Sequence, residues 1–91
     1  MAKVVVTLRV MPESPEVNLD QLQKEVLKII KNVVGDTETK VEKQPIGFGL
    51  NALNVLFVMD ENKKTEDIEN RVRNLEEVQS VDVTDVRRAI G

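Results

Sequence analysis

Ninety-one residues are enough for one domain built around a single hydrophobic core and too few for two. The chain has no cysteine and no histidine, which removes disulfides, thiolate chemistry, zinc clusters and the usual general acid–base side chain. Its net charge of −3 argues against direct binding of nucleic acid, which needs a basic face.

Lys3 to Met11 reads as the first strand. Val4, Val6, Leu8 and Val10 fall on one face, and Val5, Thr7, Arg9 and Met11 on the other. One face is wholly apolar and the other mixed, so this strand has a covered side and a partly open side. Pro12 to Glu16 is too rich in proline and polar groups for anything but a loop. Asn18 is placed to cap a helix starting near Leu19. Leu19, Leu22, Val26, Ile29, Ile30 and Val33 form its apolar stripe, Asp20 and Lys31 suit the two ends of its dipole, and Gly35 stops it. Lys24, Lys28 and Lys31 line its polar side and read as a solvated face.

Glu38 to Gln44 alternates weakly and carries many charges, as an edge strand does. Pro45, Gly47 and Gly49 then mark a sharp bend that holds Phe48 between two glycines. Val55 to Met59 is an unbroken apolar run, the pattern of a buried central strand. Asp60 to Lys64 is a turn. Thr65 is placed to cap a second helix with Ile68, Val72 and Leu75 inward. Val78 to Val86 is the last strand, with Val81 and Val83 inward and Asp82 and Thr84 outward. Arg87 and Arg88 are expected just beyond it.

The order βαββαβ, with the most apolar strands first and third, predicts an α+β, ferredoxin-like domain. Its four-stranded antiparallel sheet carries both helices on one face, with strands one and three in the centre. No apolar run approaches the roughly 18 residues that span a bilayer, so no membrane is expected. The residues after Met1 lack a signal peptide's cleavage pattern, and the cytoplasm is the expected location.

Little in the chain points to chemistry of its own. Asp60 with Glu61, and Glu76 with Glu77, lack the spacing of a calcium loop and read as solvated turns, so no metal and no cofactor is expected. Ser80 has no histidine to activate it. Gly47-Phe48-Gly49 matches the centre of an RNA-recognition motif, but Ile46 stands where that motif is basic, and Leu50 and Leu53 replace its other rings. Two readings from different classes survive. One is a regulatory module that binds a small ligand or a second copy of itself. The other comes from a resemblance.

Pro45 to Leu50, with Leu53 and the apolar strand ending in Asp60-Glu61, resembles the signature of the nucleotide-exchange domain of translation elongation factor 1-beta. Val78 to Val83, placed ahead of a basic C-terminus, resembles a second signature of that family. The similarity spans essentially residues 1–91, in the short archaeal-type form. It implies a single guanine-nucleotide-exchange domain, not an enzyme, that acts on the GDP-bound GTPase elongation factor 1-alpha and is monomeric when free. It further implies that Phe48, framed by Gly47 and Gly49, and a basic residue at Arg88 perturb the GTPase's magnesium and phosphate site. Arg87 and Asp82 belong to the same expected contact set. Gln79 and Ser80 match the second signature without an assigned role.

Overall fold

A computed structural model describes residues 2–88. The elements are β1 (Lys3–Pro12), α1 (Leu19–Val34), β2 (Thr39–Gly47), β3 (Leu50–Asp60), α2 (Glu66–Arg73) and β4 (Val78–Arg88). The strands form one sheet in the order β2-β3-β1-β4, and each neighbouring pair is antiparallel. This is the expected split arrangement, with the first and third strands in the centre.

The alternation in β1 explains the layering. Val6, Leu8 and Val10 are fully buried, and they pair with Phe57, Val55 and Leu53 of β3. Residues opposite one another share a face, so these six side chains form one apolar surface. The helices cover that surface with Leu22, Val26 and Ile30 from α1 and Ile68 and Val72 from α2. The reverse face carries Val5, Thr7 and Arg9 of β1, with Leu56 and Asn54 of β3 opposite the last two. It has no covering layer among the described residues.

Local chemistry fixes the element ends. The Asn18 side chain accepts from the Gln21 backbone N–H at 3.1 Å, satisfying a donor that the first turn of α1 leaves free. Gly35, at φ 82°, ends the helix with its N–H on the Lys31 carbonyl. At α2 the expectation of a side-chain cap fails. The Thr65 hydroxyl donates to the Glu69 carboxylate at 3.0 Å and leaves the backbone donors alone.

Several strand boundaries also differ from the expectation: β1 takes in Pro12 and β2 continues past Gln44 to Gly47. β3 begins at Leu50, because Leu50 to Asn54 pair with β2 from Gly47 back to Glu42. The bend is therefore a tight hairpin turn rather than a loop. β4 runs through Arg88, since Arg87 and Arg88 pair with Val5 and Val4. The ladder between β1 and β4 shifts register between Thr7 and Leu8, where Thr84 is the extra residue on β4.

Backbone amides of Val4 to Val10 and Val55 to Met59 are expected to exchange slowest with solvent, because freeing them requires nearly global opening. Amide exchange followed by NMR checks this. Slower exchange at Lys40 to Lys43, on the edge strand, would contradict it.

Candidate functional site

The β2–β3 hairpin turns through Phe48 and Gly49, between the paired Gly47 and Leu50. Both central residues have positive φ, 54° and 77°. That is the twist a two-residue hairpin turn needs, and it normally selects Asn or Gly. Phenylalanine in this conformation costs of order 1 kcal/mol. Phe48 is also 98% exposed. A large ring is thus held outward on a strained turn and contributes nothing to the core. Its counterpart Phe57 is 1% exposed and lies at the centre of the core.

The basic residues stand elsewhere. Arg88 opposes Val4, which opposes Met59, whereas the turn adjoins Leu50. Nine strand residues at about 3.3 Å each separate the two ends, roughly 30 Å. The resemblance implies a role for both Phe48 and Arg88, and the sheet places them at opposite ends. Gly47 and Gly49 lie with Phe48 at one end, and Arg87 and Arg88 lie at the other.

The two arginines also face opposite ways. Arg88 shares the helix-covered side of the sheet, where its Nη2 lies 3.4 Å from Glu61 Oε2. Arg87 points to the open face, with its Nε 2.7 Å from Asp85 Oδ2. Both arginine side chains are more than three-quarters exposed, so these pairs add little stability and leave the cations available. Asp82 is exposed on the open face opposite Arg9, midway along the sheet. It is apart from both ends. Ser80 opposes Met11, nearer the hairpin end.

Three features were not anticipated. Val86 is 53% exposed although it opposes the buried Val6. An open groove results, lined by Val4, Val86, Glu61, Thr65 and Arg73. Glu61, read as a turn residue, holds Arg88 at the groove's rim. Pro15, in the loop after β1, lies near Gly49 with room for a methyl group between them. No local pattern announces any of these, since each depends on residues brought together by the sheet. Asp60 is occupied in its own turn, accepting from the Asn62 N–H at 3.0 Å.

A βαββαβ sheet with a projecting aromatic turn at one end and a basic strand terminus at the other defines a class, the ferredoxin-like domain. The fold is shared with the de novo designed protein Foldit4, at TM-score 0.63 and 22% identity over 98% of both chains. Sequence comparison narrows the class. The family model of the EF-1 guanine nucleotide exchange domain matches residues 5–89. Elongation factor 1-beta of Methanosphaera stadtmanae is 48% identical, covering 97% of this chain and 98% of the relative. That of Methanothermobacter thermautotrophicus is 45% identical over the same shares, 97% and 98%. Elongation factor 1-beta of Pyrococcus furiosus is 40% identical over 93% of each. The chain belongs to the elongation factor 1-beta family of guanine nucleotide exchange domains.

Proposed function

We propose that this chain promotes release of GDP from the translation GTPase elongation factor 1-alpha. It binds the GDP form as a cytoplasmic monomer and leaves when GTP and aminoacyl-tRNA take over. The observation that carries this reading is the family match over nearly the whole chain. The ring of Phe48, exposed on a strained turn with no use in the core, supports it. No bond is made or broken. Exchange follows from coupling: factor and nucleotide each weaken the other's binding to the GTPase, by the same free energy in both directions.

The separation of the two ends divides the labour. Phe48 anchors on one surface of the GTPase, and Arg88 works on another, roughly 30 Å away. At the Arg88 end, a cation brought beside the GTPase's magnesium repels it and competes for its oxygen ligands. Loss of the metal leaves the phosphates less neutralised, and the nucleotide departs faster. Gly47 and Gly49 serve the turn. Arg87 and Asp82 lie on the open face and have secondary roles.

The test is direct. The GTPase is loaded with a fluorescent GDP analogue and mixed with substoichiometric amounts of this protein. Accelerated release with turnover supports the proposal. Release no faster than the spontaneous rate would overturn it.

A further inference from the structure

Glu61 and Arg88 are 27 residues apart in the chain, and β1 brings them together. Val4 pairs with Met59 on one side and with Arg88 on the other, so the ends of β3 and β4 flank the start of the same strand. Glu61 follows β3 directly. Across that gap Arg88 Nη2 donates to Glu61 Oε2 at 3.4 Å.

The two partners are held unequally. Glu61 stands on a braced turn. Its N–H donates to the Ala2 carbonyl at 3.2 Å, and the Lys63 N–H donates to the Asp60 carbonyl at 3.0 Å. The Asp60 carboxylate accepts from the Asn62 N–H, also at 3.0 Å. The Glu61 side chain is 35% exposed and that of Arg88 77%. The carboxylate is thus the fixed partner, and the long arginine side chain is the one with rotamer freedom to lose. The direction of the bond matters as well. Glu66 and Glu69 line the adjoining groove with Val86 and Glu61, so α2 offers the guanidinium competing carboxylates. Glu61 lies past the end of β3 and draws it toward the tip of the sheet instead.

We propose that Glu61 is a positioning residue for Arg88. It holds the cation at the tip, clear of the α2 carboxylates, before the GTPase arrives. An exposed pair of this kind is weak, so a phosphate or carboxylate of the GTPase takes the guanidinium over on docking. The inference deepens the exchange role proposed above and rests on it for its functional consequence. Arg88 acts there on nucleotide release while Phe48 anchors the complex, so misplacing Arg88 lowers the maximal rate rather than the affinity.

Two measurements test it. The first uses the protein alone. NMR relaxation of the Arg88 Nε–Hε bond reports its nanosecond motion, and Glu61→Gln is expected to lower the order parameter by about a third. The second uses GDP release from the GTPase. Glu61→Gln is expected to lower the maximal rate about threefold, the size of an exposed ion pair, with the half-maximal concentration unchanged. In an Arg88→Ala background the same substitution is expected to change neither. Asp85→Asn, which frees Arg87 on the opposite face, is expected to leave the rate as it is.

An unchanged order parameter would overturn the inference. So would a loss of rate as large without the Arg88 side chain as with it, which would make Glu61 a contact residue in its own right. An unchanged or raised rate in Glu61→Gln, beside an active wild type, would overturn it too. A wild-type chain that releases no GDP would instead overturn the exchange role itself. The order parameter needs no GTPase and reports the hold of Glu61 on Arg88 separately.

Discussion

Phe48→Ala is expected to weaken exchange about thirtyfold or more while leaving the melting temperature nearly unchanged. An exposed aromatic that fills a partner pocket is worth ~2 kcal/mol or more when truncated, and each 1.4 kcal/mol is about tenfold. The ring is 98% exposed and absent from the core cluster, so its removal leaves no cavity. Phe57→Ala provides the contrast. That ring is 1% exposed, and its loss is expected to cost about 3–5 kcal/mol of stability. Phe48→Asn sharpens the separation further, because asparagine suits the positive φ of 54° that phenylalanine tolerates poorly. It is expected to melt no lower than the wild type and still to exchange poorly. Thermal denaturation and GDP release measured on the same samples check all three. A large fall in melting temperature with Phe48→Ala would place the ring in a folding role.

Arg88→Ala is expected to slow magnesium-dependent GDP release by at least about tenfold, equivalent to ~1.4 kcal/mol of activation free energy. Complex formation measured without nucleotide is expected to change much less, since the anchor at the other end is intact. Arg87→Ala is expected to have little effect. Its guanidinium is on the opposite face of the sheet and is engaged by Asp85 at 2.7 Å. Arg88 is held to Glu61 at 3.4 Å on an exposed rim, and a stronger anion can take it over. Its planar fork suits a phosphate or a carboxylate ligand better than the metal position itself. The decisive comparison varies magnesium. If chelation leaves the wild-type acceleration intact and Arg88→Ala still exchanges normally, the metal-directed role fails and the Phe48 end alone must account for exchange.

The parts of the fold that were legible in the sequence are those set by short-range pattern. Val4 to Val10 alternates cleanly and Val55 to Met59 is uniformly apolar, and these strands are the two central ones. Asn18 and Gly35 mark the ends of α1 by side-chain and backbone chemistry that acts within a few residues. The exposure of Phe48 was legible for the same reason, because two flanking glycines imply a bend that a core ring does not need. What was illegible depends on partners distant in the chain. Leu50 to Asn54 become strand because β2 lies alongside them. Arg87 and Arg88 join β4 because the start of β1 offers them an edge. Thr65 has the composition of a cap, but Glu69 one turn later competes for its hydroxyl. The distance between Phe48 and Arg88 is likewise a property of the strand register, which no motif contains.

Thr84, the additional residue in β4, acts as a parity switch. Between the two register shifts the odd-numbered Val81 and Val83 face the helices, and after Thr84 the even-numbered Val86 and Arg88 do. Drawing Thr84 into a regular ladder opposite Thr7 would invert the assignment of everything downstream. Val86 would leave its corner for the open face, Arg87 would come opposite Val4, and Arg88 would cross the sheet. Composition and net charge would be untouched, yet the two adjacent arginines would have traded places. Deleting Thr84, by contrast, would keep Val83 and Asp85 opposite Leu8 and Thr7 and leave both arginines where they are. The identity of the cation presented on the helix side is thus set by whether one residue is left out of the ladder, not by a motif.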